Sequence, residues 1–298
     1  MAKRWYGRDF GLQARMGFTM LLLTLIYIVF SYILFRYTHL AIFFLIPLVG
    51  LFLQYFYSDK LVLSSVGARI VSRAQQPQLF DIVERLAQQA DLPMPKIAIV
   101  DTPMPNAFAT GRNPKHAVIA VTRGLLNQLP PAELEAVLAH EMTHIRSHDM
   151  IVMTMAGSVA AVAAWISQMG FWLGLGQGNN RNNGNNGLPF MVVLLITFAV
   201  AIISHLLVLT LSRYREYAAD RGSALLTGQP ELLESALIRI SGNMQHIPTR
   251  DLREAQPLSA LFIASPRKET LLELFSDHPS LEHRIARLQR LQTQMARS

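Results

Sequence analysis

The longest runs of apolar residues in the chain predict four membrane-spanning helices. The runs extend from about Met16 to Phe35, Leu40 to Tyr57, Met150 to Leu175 and Leu188 to Leu211. Each approaches or exceeds the roughly 20 residues that an α-helix needs to cross a bilayer. The first run is long and no small-residue cleavage site follows it, so a cleaved signal peptide is not expected. For the third and fourth runs, two helices buried in a large core are the alternative, because the third is rich in Ala, Gly and Ser.

Basic residues are distributed unevenly around these runs. They gather before the first run, after the second and after the fourth, whereas the short connections 36–39 and 176–187 carry one arginine each. By the positive-inside rule, this asymmetry predicts that the N-terminus and the large polar segments are cytoplasmic. The connection 176–187 consists mainly of Gly and Asn and is predicted to be a flexible loop.

Shorter patterns in the polar segments predict a small unit of helices and strands. In chain order they are a helix over 78–89, strands at 96–100 and 116–121 with a turn at 111–114 between them, a helix opened by Pro130 and Pro131, and helices near 231–240 and 281–295. Together with the apolar runs, these elements predict a mainly α membrane protein with a small β-sheet.

Composition agrees with a membrane protein and narrows the chemistry. Hydrophobic residues make up 51% of the 298 positions and charged residues 16%, against about 25% charged in soluble domains. The net charge of +7 comes without basic runs or interleaved aromatics, so nucleic acid is not an expected partner. Basic residues beside apolar runs suit an anionic bilayer surface instead. The chain has no cysteine, which excludes disulfides, Cys-ligated zinc and thiol catalysis.

The segment His140-Glu-Met-Thr-His144 has the spacing of a zinc site on a helix. Residues four apart share one helical face, so both imidazoles can bind one ion. Glu141 is one step round the helix, which makes it a poor ligand but a suitable base for the attacking water. The alternative is an ordinary helix with surface histidines.

A catalytic zinc site needs a third protein ligand and an open position. His148 follows His144 by four residues, but on a continuous helix it lies about 12 Å along the axis from His140. The glycine that bends the chain back in HExxHxxGxxH peptidases is missing. We therefore expect His148 to be a histidine at the end of a helix, favoured by the helix dipole, and not a ligand.

Two carboxylates after the fourth apolar run are better candidates. Glu216 and Asp220 are four residues apart and share one helical face. One of them can bind zinc while the other accepts a hydrogen bond from a ligating imidazole. Taken alone, they could be a solvated acidic pair beside Arg213 and Arg215. The lack of a usable third ligand near the HExxH motif favours the metal-site interpretation.

His205 lies inside the fourth run, where a titratable residue is costly and often functional. It precedes Glu216 by eleven residues, about three helical turns, and so shares its face. It either lines a polar cavity leading to the metal or forms a hydrogen bond with Ser167 or Gln168 of the third run.

The chain resembles the HtpX-like membrane metallopeptidases, within the larger group that includes the CaaX prenyl proteases. The likeness covers nearly the whole length, and His148 and Ser280 depart from the usual pattern. Four motifs carry it: His140-Glu-Met-Thr-His-Ile-Arg-Ser-His-Asp149, Arg213-Tyr-Arg-Glu-Tyr-Ala-Ala-Asp220, Asn106-Ala-Phe-Ala-Thr-Gly111 and His278-Pro-Ser-Leu-Glu-His-Arg284.

This resemblance implies roles for further residues. We assign His140, His144 and Glu216 as ligands of one Zn²⁺ per subunit, with Asp220 beside them. His278 is similar to the histidine that stabilises the oxyanion of the tetrahedral intermediate, and Arg284 to its structural partner, which could pair with Asp220. The strand that aligns the substrate backbone in such peptidases corresponds to four residues here: Asn106, Ala107, Phe108 and Ala109.

The implied architecture is four hydrophobic helices plus a zincin-like (gluzincin) α+β catalytic domain in two parts. The expected divisions are an N-terminal transmembrane hairpin over 1–57, a first catalytic part over 58–149, a second hydrophobic pair over 150–211 and a second catalytic part over 212–298. The implied activity is endopeptidase cleavage of unfolded or damaged membrane proteins under stress. The implied location is a bacterial inner membrane, with several spans and a cytoplasmic catalytic domain.

Two other functions remain open from the sequence. A CaaX-type protease would cleave prenylated proteins, but those enzymes carry more spans than the four predicted here. A non-catalytic membrane metal sensor or scaffold would have no use for a base such as Glu141 beside its metal. Oligomeric state and substrate preference are not encoded in any motif.

Overall fold

A computed structural model of the protein describes residues 10–38, 49–50, 52, 56–57, 60–149, 152–153, 156, 190–244 and 279–297. Most of the second and third apolar runs lie outside these residues, as do the connection 176–187 and His278. What the sequence predicts for those segments, and the division of the chain into domains, therefore stays a prediction.

The described residues include seven α-helices with assigned bounds, one short 3-10 helix (Pro114–His116) and four strands. The helices are α1 (Phe10–Thr38), α2 (Pro77–Ala90), α3 (Arg123–Gln128), α4 (Pro131–Arg146), α5 (Phe190–Thr227), α6 (Pro230–Met244) and α7 (Leu281–Met295). The strands are β1 (Arg69–Ile70), β2 (Lys96–Val100), β3 (Ala107–Thr110) and β4 (Val118–Thr122). A mainly helical protein with a small sheet is thus confirmed.

The four strands form one mixed sheet in the order β1-β2-β4-β3. Strands β2 and β4 are parallel and begin opposite each other at Lys96 and Val118, whereas β1 and β3 run antiparallel to their neighbours. The turn at 111–114 joins β3 to β4, so it does not join the two strands that the sequence analysis placed on either side of it. Within the described residues, β3 is an outer strand with one neighbour.

Helix α4 lies in the main hydrophobic core and is enclosed on nearly all sides. It packs against α2, α5, α6 and β3. It begins with Pro131, which is preorganised for the first helical position, and Glu133 follows in its first turn. Small residues such as Ala136 and Ala139 are fully buried along it and let neighbouring elements approach closely. The side chains in the middle and second half of α4 are therefore held rigidly and away from bulk water.

Helix α5 is one continuous element that joins the fourth apolar run to the acidic pair. Its 38 residues extend about 57 Å at 1.5 Å per residue. Within the described residues, Phe198–Thr227 of this helix is long and apolar enough to cross a membrane. Leu23 of α1 packs against Leu211 of α5, so the helices of the first and fourth apolar runs lie side by side.

Candidate metal centre

The HExxH residues lie in the second half of α4, where the helix is fully enclosed. His140, Glu141 and His144 expose between 1% and 8% of their surface. The i, i+4 spacing puts both imidazoles on one face, and their Nε2 atoms are 3.1 Å apart. Two buried imidazoles with nitrogens this close need a shared ion or shared protons between them.

Helix α5 brings a carboxylate to the same point. Glu216 is buried, with Oε2 3.5 Å from Nε2 of His140 and Oε1 3.4 Å from Nε2 of His144. The packing of α5 on α4 is secured two turns away, where Ser223 Oγ donates a hydrogen bond to the Ala136 carbonyl at 2.6 Å. One ligand atom from each of the three residues lies within 4.8 Å of the others.

These separations fit a tetrahedral zinc site. Ligands about 2.0–2.1 Å from a tetrahedral ion are separated by roughly 3.3–3.4 Å from one another, and the distances above are 3.1–3.5 Å. Two imidazoles and one carboxylate are also the donor set of catalytic zinc sites, which leave the fourth position for water or substrate. Geometry and donor chemistry therefore both suit a metal ion held by these three residues.

The His140 ring is supported from behind by Asp220 and Arg284. Asp220 Oδ1 lies 3.1 Å from His140 Nδ1. Arg284, on α7, donates to both Asp220 oxygens, from Nε at 2.9 Å and from Nη2 at 2.5 Å. Burial alone would raise the pKa of Asp220, but the Arg284 charge and the hydrogen bonds of both neighbours lower it. The structure thus brings together the two residues that the family resemblance paired.

The His144 ring has a similar environment that the sequence analysis did not predict. Its Nδ1 lies 2.7 Å from Oδ2 of Asp149, which is 2% exposed. Nε of Arg215, the residue before Glu216, lies 3.2 Å from the same oxygen. Both residues fall inside motifs quoted for the resemblance, but the sequence gives no sign that the chain after α4 folds back onto His144.

The carboxylates around the two imidazoles favour their protonated forms. Burial alone would lower the pKa of His144, but hydrogen bonds with Asp149 and Glu216 outweigh it and raise the pKa to about 10. The pKa of His140 is also raised above 6.5, by Asp220 and Glu216 against the effect of burial. A divalent cation must displace these protons to bind both nitrogens.

Glu141 lies beside the ligands and also contacts the sheet edge. Burial raises its pKa, and the nearby imidazoles and a hydrogen bond from the Ala109 backbone amide act in the opposite direction. A carboxylate with a raised pKa is suited to accept and return a proton near neutral pH.

Strand β3 presents the backbone of the predicted substrate strand. Asn106, just before β3, pairs with Thr122: its amide donates to Thr122 Oγ1 at 2.8 Å and its carbonyl accepts from the Thr122 amide at 2.9 Å. Antiparallel pairs alternate, so Phe108 also bonds to β4 while the backbone groups of Ala107 and Ala109 point to the outer edge. The Ala109 amide reaches Glu141 from that edge.

The other histidines of the sequence analysis lie elsewhere. His148 is exposed, and its Nδ1 lies 3.0 Å from the Arg146 carbonyl, so it is not part of the group around Glu216. His205 is on the exposed surface of α5, and residues 167–168 lie outside the described residues. The proposed role of His278 is likewise not tested.

Comparison with known proteins gives a consistent result. The model of peptidase family M48 matches residues 73–292. The chain is 51% identical to a protein named "Protease HtpX homolog" from Moorella thermoacetica, with 98% of each chain covered. It is 48% identical to "Protease HtpX homolog 2" from Methanosarcina acetivorans, over 99% of this chain and 100% of that protein. The crystal structure of S. mikatae Ste24p shares the fold, with a TM-score of 0.55, 18% identity, and coverage of 92% of this chain and 67% of that one.

Proposed function

The chain belongs to peptidase family M48, and from this premise we propose that it is a zinc-dependent endopeptidase whose metal ligands are His140, His144 and Glu216. The observation that carries the proposal is the buried group of two imidazoles and one carboxylate at tetrahedral separations, with Glu141 beside it. Because an M48 peptidase is a hydrolase, this group has a catalytic use and not only a structural one.

Each residue around the site has one task in peptide-bond hydrolysis. When bound, zinc supplies a Lewis acid that polarises the scissile carbonyl and acidifies water. Glu141 accepts a proton from the attacking water and returns it to the leaving amine. Asp220, held by Arg284, fixes the ring of His140. We assign His278 to stabilise the negative oxygen of the tetrahedral intermediate, as the family resemblance implies.

An extended substrate strand would bind along the outer edge of β3. The outward-facing backbone groups of Ala107 and the carbonyl of Ala109 can pair with such a strand by β-augmentation. Because the Ala109 amide contacts Glu141, a strand on this edge lies next to the catalytic base. Because backbone hydrogen bonds would supply the affinity for the substrate, the bound segment must be unfolded. Cleavage would then depend less on the side chains of that segment.

The membrane geometry favours substrates that come from the bilayer. Glu216 lies five residues after Leu211, the end of the fourth apolar run, which is about 8 Å along the helix. The zinc site would then open at the membrane surface. We propose that the protein is multi-pass in a bacterial inner membrane, with its catalytic domain in the cytoplasm, and that it cleaves unfolded or damaged membrane proteins under stress.

The decisive experiment compares two carboxylates of the same helix in the purified full-length protein. Glu141→Gln should retain one zinc per chain but abolish cleavage of an unfolded test protein. Glu135→Gln is the matched control, because Glu135 is a partly exposed residue of α4 that pairs with Arg85, and it should retain both properties. If Glu141→Gln cleaves as fast as the unchanged protein, or if the unchanged protein binds no zinc, the proposed function is wrong.

A second substrate separates this activity from that of a prenyl-protein protease. A soluble prenylated C-terminal peptide should be cleaved no faster than its unprenylated counterpart. A large preference for the prenylated peptide would favour the CaaX-type alternative at the same zinc site.

A further inference from the structure

Both metal-binding histidines are backed by a carboxylate, and each carboxylate is in turn paired with an arginine. For His140 the series continues to Asp220 and Arg284, as described above. For His144 it continues to Asp149 and Arg215, two residues to which neither the sequence motifs nor the proposed mechanism gives a task. Each series includes one residue of α5, Asp220 in the first and Arg215 in the second, and the remaining members come from α7 and from the turn after α4.

The second series is also buried, although Arg215 is at ion-pair distance from its carboxylate at one atom, whereas Arg284 donates two hydrogen bonds. One oxygen, Asp149 Oδ2, lies 2.7 Å from His144 Nδ1 and 3.2 Å from Arg215 Nε. The side chains of Asp149 and Arg215 expose only 3% and 11% of their surface. A buried carboxylate between an imidazole N–H and a guanidinium has a hydrogen-bond donor on one side and a positive charge on the other, which offset the cost of removing it from water.

The chain reaches this position through an unusual turn after α4. The amides of Ser147 and His148 still bond to Thr143 and Ile145, but His148 has a left-handed backbone with φ 55°. This conformation interrupts the helix at His148 and leaves Asp149 next to the last turn of α4. There its carboxylate contacts His144, five residues earlier.

We propose that Asp149 is a positioning residue for the metal, held in turn by Arg215. A neutral imidazole has one N–H donor and one acceptor nitrogen. With the Nδ1 proton donated to Asp149, the lone pair resides on Nε2, the nitrogen that faces Glu216 Oε1 at 3.4 Å. The carboxylate thus fixes both the tautomer and the ring orientation that metal binding requires. This inference rests on the proposed function, because it assigns Asp149 to the zinc site.

A purely structural role is the competing explanation. Asp149 could simply connect the end of α4 to α5 through Arg215, in which case its loss would lower stability and leave zinc affinity unchanged. The chain offers a matched control for that case. Glu133, also on α4 and 6% exposed, pairs with Arg239 Nε at 2.8 Å but lies two turns away from the ligands.

The test measures the zinc dissociation constant of the full-length protein in detergent, by competition with a chelator, together with its thermal unfolding. Asp149→Ala should weaken zinc binding by about 10- to 100-fold, the usual effect of losing such a partner. Asp149→Asn keeps the shape and an acceptor oxygen, so it should recover part of that loss. Glu133→Gln should unfold more easily and yet bind zinc with unchanged affinity. The visible absorption spectrum of the cobalt-substituted protein should change in Asp149→Ala and stay unchanged in Glu133→Gln.

Two results would contradict this inference, and they differ in what else they overturn. The first concerns Asp149 alone, and the second concerns the proposed function as well. If Asp149→Ala and Asp149→Asn bind zinc as tightly as the unchanged protein, and differ from it only in unfolding, Asp149 is a structural residue. If the unchanged protein itself binds no zinc, the proposed function fails first, and the assignment of Asp149 fails with it.

Discussion

A single residue, His148, decides how the chain continues after α4, the helix that carries the HExxH motif. His148 is exposed and has a positive φ of 55°, a conformation that a side chain with a Cβ adopts at a cost of roughly 1–2 kcal/mol. That cost is compensated because the turn brings Asp149 to His144. Within the part of the chain that the structure describes, the hydrogen bond of the His148 side chain is to the Arg146 carbonyl, so we infer that this position matters for its backbone and not for its imidazole.

We therefore expect His148→Gly to stabilise the protein without affecting the metal. Glycine adopts positive φ readily, but it loses more entropy on folding, so the net gain in the free energy of unfolding is about 0.5–1 kcal/mol. Denaturation of both proteins and a zinc titration would measure the two effects. A large loss of zinc in His148→Gly would contradict the assignment of His148 as a non-ligand.

Glu133 provides a pH-dependent test of a buried pair away from the metal. Burial alone would raise its pKa, but hydrogen bonds from Arg239 and Ser235 lower it below 4.5. Because the pKa is lower in the folded protein, the pair stabilises above about pH 4.5, and this contribution is lost as pH falls through the folded pKa. Arg239 is half-exposed, so we expect a modest contribution, about 1–2 kcal/mol.

Glu133→Gln should accordingly be less stable than the unchanged protein at about pH 7, and the difference should shrink at about pH 3–4. Free energies of unfolding measured for both proteins at each pH would show the trend. A difference that stays constant over this range would mean that the ionised carboxylate is not what stabilises the helix.

Among single residues, the sequence predicts the candidate metal ligands better than the residues that hold the histidine rings in place. His140, His144 and one of the pair Glu216 and Asp220 could be proposed because their spacing on helices is regular and a catalytic zinc needs three ligands, and the family resemblance implies that the third is Glu216. Asp149 could not, because its contact with His144 depends on a left-handed residue that is neither Gly nor Asn. Such a turn leaves no pattern in the residue types.

Helices and strands differ in how well the periodicity of apolar residues predicts their positions. The C-terminal helix was expected near 281–295 and the structure has α7 at Leu281–Met295, because its apolar positions recur with a clear helical period. Strand β2 was expected at 96–100 and is found there. The pairing of β2 with β4 and the position of β3 at the outer edge depend on contacts between distant segments, which local patterns do not encode.

The loop 101–106, which precedes β3, depends on close packing against α3. In the structure, the Gly124 amide bonds to the Thr102 carbonyl at 3.0 Å. A Cβ at Gly124 would lie 2.0 Å from the backbone oxygen of Pro103. The absence of a side chain at Gly124 therefore allows the 101–106 loop to lie against α3 and sets where β3 begins.

Gly124→Ala should destabilise the protein by at least about 2 kcal/mol and slow cleavage, because the backbone of the loop must move away. Gly242→Ala is the matched control, since Gly242 lies in α6 with nothing within 4 Å of an added Cβ. It should be neutral or stabilise by up to about 1 kcal/mol through helix propensity. Thermal unfolding and a cleavage assay of both variants would decide. Equal effects of the two substitutions would mean that the contact at Pro103 is unimportant.

On the scale of the whole molecule, α5 links the membrane to the chemistry. One uninterrupted helix carries the apolar stretch, Arg215, Glu216 and Asp220, and it packs along α4. The sequence already indicates that the apolar run and the acidic pair are adjacent. Placing His205 and Glu216 on one face assumes a continuous helix between them, but a break between the span and the catalytic domain would fit the same residues.

Zinc should therefore stabilise the contact between α4 and α5. The proposed ligands come from two helices about 70 residues apart in sequence, so binding would add a direct link between them and favour the folded state. At zinc concentrations about 1,000 times the dissociation constant, the added stability is about 4 kcal/mol. Without zinc, the protonated histidines and the two arginines still neutralise the buried carboxylates, so we expect the helices to loosen and not to unfold.

Hydrogen exchange followed by mass spectrometry would measure this in the full-length protein with and without a chelator. Removal of zinc should increase exchange in residues 139–146 of α4 and 209–220 of α5. Strand β2, buried in the sheet and distant from the ligands in sequence, serves as the internal reference and should not change. His140→Ala should exchange like the chelated protein whether zinc is present or not, because it has lost a ligand. If chelation abolishes cleavage but leaves exchange in both helices unchanged, the metal serves the chemistry alone and the two helices are held together by their packing.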